Sequence, residues 1–231
     1  MKNIDLPRKV KYKPRRSKKV RELPNATYRD GRTYVDFENH TSQNPEVNVV
    51  EMDTVEGGHS GKVVLTLYFR NCSFMLVFLM EHNSQKCVVD VFNTLEKLLG
   101  LKTFQKLFSV ILTDNGSEFK RPDLIEFNES GKQRTKVFFC NPYESWQKGR
   151  IEKNHEFIRY IIPKGKSFNS YTQEDITLMA NHINSVARAS LNDNTPFGLA
   201  SLLLDKKLLK VLGLHVIAPD EVLLKPALLK R

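Results

Sequence analysis

Apolar positions along the chain change period part-way through. Residues 47–55 (VNVVEMDTV), 62–70 (KVVLTLYFR) and 73–81 (SFMLVFLME) are dense in β-branched and aromatic side chains. Short turns separate them, so they read as three strands of an antiparallel meander. From Ser84 the spacing becomes helical: Val88, Val91, Phe92, Leu95, Leu98 and Leu99 recur at three and four, with Gly100 as the stop. A short helix over 103–108 leads to a fourth strand at 109–113 (SVILT), which ends in Asp114-Asn115-Gly116. A short helix near 122–127, a polar loop at 128–135 and a fifth strand at 136–140 (KVFFC) follow.

The remainder is helical. A long helix is expected over 145–162, closed by Pro163-Lys164-Gly165. Another, over 172–188, starts at a Thr172 cap with Glu174 and Asp175 in its first turn and carries the stripe Ile176, Met179, Ile183 and Val186. A last one over 196–212 carries Leu199, Leu202, Leu203, Leu209 and Leu212, a stripe suited either to the core or to a dimer contact. Residues 33–37 (TYVDF) read as a short strand or docking segment. Strand, strand, strand, helix, strand, helix, strand, helix is the order of an α/β domain with helices against a mixed sheet.

Charge adds an appendage to this body. The chain of 231 residues carries +10, yet residues 1–21 hold ten Lys/Arg against one acid, leaving 26 basic and 25 acidic side chains in the rest. With Pro7, Pro14 and Pro24 and few apolar residues, residues 1–32 are expected to form a disordered basic arm. Such an arm attracts phosphate polyanions without reading sequence. Within it Lys9, Lys11, Arg15, Arg16, Lys18 and Lys19 are candidate DNA contacts. A solubilising or targeting tail is the plainer reading. The longest apolar run, 74–80, is far short of the ~20 residues that span a bilayer. The opening residues lack a secretory h-region, and three cysteines without a C-x-x-C pair fit small core hydrophobes in a reducing compartment. No membrane association and no small-molecule cofactor are expected.

Candidate chemistry lies in the acids. Gly57, Gly58 and Gly61 sit on a hairpin with no helix to receive a phosphate, and the six histidines form no H-E-x-x-H. Asp53 interrupts the first strand, with Glu51 two residues earlier on the same face. Asp114 ends the fourth strand, and Glu152 lies early in the long helix. Singly, each has a plain explanation in turn or helix-dipole chemistry. If the first and fourth strands are neighbours, Asp53 and Asp114 lie side by side, and the helix brings Glu152 to them. Two carboxylates ~4 Å apart repel by roughly 4 kcal/mol at an effective dielectric of 20. Such a cluster is kept by protonation or by cations, and hard oxygen donors suit Mg2+ or Mn2+. Two such ions serve an in-line phosphoryl displacement. On the helix, Glu152, His155, Glu156 and Arg159 share one face, which a solvated salt-bridged surface would also explain.

The blocks V-E-M-D-T-V, I-L-T-D-N-G-S-E-F and N-P-Y-E-S-W-Q-K-G-R-I-E-K-N-H-E-F-I-R, followed by I-P-K-G, resemble the catalytic core of DDE transposases and retroviral-type integrases. The third looks most like the IS-thirty family of bacterial insertion sequences. The resemblance runs from about Val47 to Leu204 and implies an RNase H-like fold: a mixed five-stranded sheet flanked by helices. Around it the expected organisation is an arm (1–32), the catalytic core (33–190) and a C-terminal helical extension (191–231). The resemblance implies that Asp53, Asp114 and Glu152 form a metal-binding catalytic triad holding two Mg2+, with Mn2+ as substitute. It implies DNA cleavage and strand transfer on element ends and target duplex, by a homodimer or larger assembly. Arg159 matches a basic position that contacts DNA. Lys148 and Arg150 are further DNA-contact candidates, and Glu51, Asn115, Glu118, Trp146 and Glu156 take supporting roles.

Two departures stand out. Thirty-seven residues separate Asp114 from Glu152, more than the family usually shows, and the loop at 128–135 is the natural place for the excess. Members of the family also carry an N-terminal helix-turn-helix that recognises element ends, where only the basic arm precedes this core. The chain therefore reads as a truncated copy, a fragment, or a protein whose end recognition resides elsewhere. A non-catalytic DNA-binding remnant and an RNase H-like nuclease are the alternatives.

Overall fold

The computed structural model describes residues 27–58 and 61–229. Five strands form one sheet: β1 (Val49–Glu56), β2 (Val63–Phe69), β3 (Phe74–Met80), β4 (Val110–Thr113) and β5 (Lys136–Phe139). Their order across the sheet is β3-β2-β1-β4-β5. The first three run antiparallel, and β4 and β5 lie parallel to β1 and to each other. That is a mixed sheet of the RNase H-like class, with the first and fourth strands side by side.

Among the described residues eight α-helices flank it: α1 (Tyr34–Gln43), α2 (Gln85–Leu99), α3 (Leu101–Leu107), α4 (Pro122–Glu126), α5 (Gly149–Ile161), α6 (Gln173–Asn184), α7 (Pro196–Leu203) and α8 (Lys206–Val211). Strand alternation sorts β1 between the two faces. Val50 and Met52 enter a dry core with α2, α3 and residues of α7 and α8. Val55 packs on the other face among α5 and α6 residues, where Phe37 of α1 joins a smaller cluster with Phe138. Three layers result.

Both sheet edges are covered by something other than a strand, which prevents edge-to-edge association. On β3, the Asn184 side chain accepts from Met75 N and donates to Met75 O, and the Gln173 amide does the same for Leu79 N and Val77 O. On β5, Phe139 N donates to Arg32 O, and the Arg32 guanidinium is clamped by Glu126 at 2.6 Å. No helix among the described residues is long and apolar enough to cross a membrane.

The strands and α2 fall where periodicity puts them, with Ser84 capping α2 and Gly100 ending it at φ 82°. Three elements differ. Residues 33–37 open helix α1, because Thr33 and Asp36 form a reciprocal capping box that fixes the first turn. The long helix begins as a 3-10 turn, Ser145–Lys148, before α5 proper. The last helix breaks at Leu204, which turns into the core while Asp205 accepts from Lys207 N to start α8. The leucine stripe is thereby split: Leu208 and Leu209 are buried, whereas Leu202 is 81% exposed. Lys9, Lys11, Arg15, Arg16, Lys18 and Lys19 lie outside the described residues.

Candidate active site

The site is built on the adjacency of β1 and β4. Their register pairs Val50 with Ile111 and Glu51 with Leu112. Carried two residues further, it sets Asp53 level with Asp114. The ammonium of Lys148 fills the space between them, 3.3 Å from Asp53 Oδ1 and 3.1 Å from Asp114 Oδ2, with the Met52 carbonyl at 3.4 Å. Asp53 Oδ1 also accepts from Thr54 N, and Asp114 Oδ1 accepts from Gly116 N in the D-N-G turn.

Electrostatics follow from burial. Asp53 is pushed up to about 6, chiefly by desolvation, with the Asp114 charge adding to the rise and the Lys148 charge opposing it. Burial works against the Lys148 charge too, but the two carboxylates outweigh it and hold its pKa above the ordinary lysine value. Lys148 is only 3% exposed, whereas the Asp114 side chain is 45% exposed. Beside them the His155 ring meets Thr66 Oγ1 at 2.9 Å and stands 3.9 Å from Asp53 Oδ2. Burial, then the Lys148 and Arg159 charges, push His155 down to about 3, so it is neutral at physiological pH.

A second network holds the start of α5 against the sheet. Glu51, fully buried, accepts from Arg70 Nε at 2.6 Å and from Ile151 N at 2.9 Å. A carboxylate on first-turn N–H groups suits the positive end of the helix dipole. Arg70 donates onward to Gln147 O, and the Gln147 side chain accepts from Asn141 N. The 3-10 turn that carries Lys148, and the helix that carries Glu152, are thus tied to the strand that carries Asp53.

Two cavities meet at Asp114. One of about 330 Å3 has Lys148, Glu152 and Tyr143 in its wall, and one of about 620 Å3 has Asp53, Glu118, His155, Arg159 and Lys164. Glu118 is nearly buried and accepts from Thr54 Oγ1 at 2.8 Å, so a further acid stands next to Asp53. Its carboxylate occupies the space that a Cβ at Gly116 would need, at 2.7 Å, which explains the glycine of D-N-G. Arg159 donates through Nη2 to Glu56 O, while its buried Nη1 has no acceptor. Asn115 donates to Cys140 O, Arg150 is exposed with one long contact to Arg70 O, and Trp146 is 69% exposed with its ring edge-on to Tyr34. Glu152 and Glu156 are exposed, and no ion pair among the described residues joins either to Arg159. Cys72 and Cys140 are buried, unpaired, and pushed up to about 12 by desolvation, which makes them inert core residues.

The structure therefore brings Asp53 and Asp114 together around one positive charge and sets Glu152 on the wall of a cavity that Asp114 shares. Among the described residues no three His, Cys, Asp or Glu side chains are drawn close enough to hold a metal ion. The donor set nevertheless fits a hard cation: two carboxylates from neighbouring strands already converge on a cation, with only oxygens around it. His155, Thr66 and Lys164 were not among the site residues read from sequence. The P-K-G that ends the third block is the one sequence feature that points to Lys164.

Comparison with known proteins finds similarity to transposases. No protein-family model matches the chain. The transposase for insertion sequence element IS4351 of Bacteroides fragilis is 30% identical over 147 residues, covering 64% of this chain and 42% of that protein. The InsI transposase for element IS30A of Escherichia coli K12 is 29% identical over 146 residues, 63% of this chain and 36% of that protein. Over almost two thirds of its length the chain is similar to these insertion-element transposases. It spans less than half the length of either transposase. The catalytic core domain of BIV integrase superposes with a TM-score of 0.46 at 14% identity, covering 65% of this chain and 91% of that domain.

Proposed function

We propose that this DDE-type core is the polynucleotidyl-transferase part of an insertion-element transposase, cleaving element ends and joining them to target DNA. The observation that carries the reading is the convergence of Asp53 and Asp114 on a single cation at the β1–β4 junction. Asp53, Asp114 and Glu152 are the residues that would hold Mg2+ or Mn2+, two ions by the resemblance. Bound there, such ions supply Lewis acidity for in-line displacement at phosphorus. The chain's own residues do the rest. Glu51 and Arg70 keep α5 seated so that Glu152 stays on the Asp114 side of the junction. Neutral His155, bonded to Thr66, packs beside Asp53, which still borders the larger cavity. Arg159, with one guanidinium nitrogen free of any protein acceptor, and Lys164 face the larger cavity and suit phosphate oxygens. The basic arm adds non-specific attraction to the backbone. The expected substrates are element-end and target duplexes, and the expected assembly on them is at least a dimer.

The test is a joining assay with Mn2+ and labelled duplexes from the DNA flanking the gene, beside Glu152→Gln protein. Joined products from the unsubstituted protein alone support the proposal. Intact DNA binding with no cleavage or joining in either protein overturns it in favour of a non-catalytic DNA-binding remnant. That second reading is favoured by the ammonium that already occupies the space between the two aspartates.

A further inference from the structure

The lysine of W-Q-K-G reads from sequence as a DNA-facing residue, but it is folded under the 3-10 turn with its charge spent inside the protein. Its Nζ is surrounded by Asp53 Oδ1, Asp114 Oδ2 and Met52 O at 3.3, 3.1 and 3.4 Å. An all-oxygen cage with two anionic members is the environment a hard divalent ion takes, and the ammonium fills it as a point charge on a flexible stem. The charges do not balance. Two carboxylates face one ammonium, and Asp114 is half open to solvent, so the cage retains an attraction for a second cation. Ammonium and divalent ion cannot share the same oxygens, because like charges at that separation repel strongly in a partly buried site. Lys148 also borders the cavity of about 330 Å3 that holds Glu152, so rotation of its side chain moves the ammonium into open space without unfolding the turn.

We propose that Lys148 is a tethered counter-ion that occupies the Asp53–Asp114 cage until a divalent cation displaces it into the Glu152 cavity. The inference rests on the metal-binding reading of Asp53 and Asp114. Lys148 stabilises the empty carboxylate pair, competes with metal when DNA is absent, and once displaced presents its charge where a phosphodiester would lie. Metal and DNA therefore bind with positive coupling through one side chain.

The test uses the full chain and no turnover. Lysine acylation read by mass spectrometry should find Lys148 protected without metal and several-fold more reactive with saturating Mn2+, while Lys207, donating to Leu99 O far from the site, stays constant. Mn2+ titration followed by the free-ion EPR signal should give at least tenfold tighter binding to Lys148→Met and Lys148→Gln than to the unsubstituted protein. Both variants are checked for folding by circular dichroism. Unchanged Lys148 reactivity on metal binding, or unchanged or weaker Mn2+ affinity in both folded variants, overturns the proposal. Asp114→Asn separates it from the reading beneath: if that variant binds Mn2+ like the unsubstituted protein, the metal site itself is misplaced. If Asp114→Asn loses Mn2+ but Lys148 never becomes reactive, the site stands and only the displacement fails.

Discussion

Two cations are buried among the described residues, and they are treated in opposite ways. Arg134, 1% exposed, donates to Ile125 O, Leu124 O, Asn93 Oδ1 and Glu96 Oε2, and lies over the rings of Phe92 and Phe104. Its one carboxylate, two carbonyls and one amide use every face of the fork. Lys148, equally hidden, faces two carboxylates and a single carbonyl, with one of the carboxylates open to solvent. The arginine, in the loop before β5, pins helix α4 to α2. The lysine leaves negative charge uncompensated at the end of two parallel strands. Saturation marks a structural ion, and imbalance is what the proposed metal site requires. Both are buried salt bridges, so burial alone does not tell them apart.

The largest effect expected from breaking this contrast is on catalysis. Asp53→Asn removes one of the two carboxylates at the imbalanced site, and joining activity should fall by on the order of a thousandfold, since Lewis-acid stabilisation is worth several kcal/mol. The same substitution should leave the melting temperature unchanged or higher, because it relieves repulsion with Asp114. A melting temperature that drops sharply would place Asp53 with the structural ions. At the saturated site the pattern should invert. Arg134→Met leaves the Leu124 and Ile125 carbonyls without this donor and Glu96, part-buried, with only Asn128, which costs roughly 3 kcal/mol in denaturant unfolding. Below its midpoint, the protein that remains folded should keep its joining rate.

Glu51 stands between the two kinds. It is saturated like Arg134's partner, yet its bonds hold the helix that carries Glu152. Glu51→Gln keeps an acceptor for Ile151 N and gives up the charge that pairs with Arg70, so about 1–3 kcal/mol of stability should go. Activity measured well below the melting temperature should fall by more than the folded fraction does. Loss in strict proportion to folding would make Glu51 a stability residue only.

The division between legible and illegible features follows distance along the chain. Strands β1 to β5 and helix α2 are written in local alternation, a Ser84 cap and a Gly100 stop, and their positions were readable. The side-by-side placement of Asp53 and Asp114 needed one assumption, that the first and fourth strands are neighbours, and the sheet order supplies it. Residues 33–37 read as a short strand or docking segment because Tyr34, Val35 and Phe37 outweigh the Thr33–Asp36 capping box that starts helix α1. The Lys148 ammonium was read as facing DNA because nothing local says that a loop folds beneath the sheet end. The partners of Glu51 come from β2 and from the first turn of α5, and only the tertiary fold brings them together. Polar residues on a strand announce that something must satisfy them; they do not say what.

Arg159 gives the smallest and sharpest test of the comparison. Like Lys148 it is a cation near the aspartates, though only half-buried, and like Arg134 it donates to a backbone carbonyl, but its Nη1 is buried with no acceptor. Desolvation lowers its pKa, as expected for a guanidinium that lacks a carboxylate partner. Arg159→Gln should therefore change stability by less than about 1 kcal/mol, because one carbonyl bond is lost and an unsatisfied donor disappears with it. If Nη1 meets a phosphate, the slope of log K against log salt for duplex binding should become shallower by about 0.9, one released counterion. Weakening should be uniform across DNA sequences, as for any backbone contact. An unchanged salt slope with a lowered melting temperature would instead put Arg159 beside Arg134 as a structural ion, and would leave Lys164 to carry the phosphate side of the larger cavity.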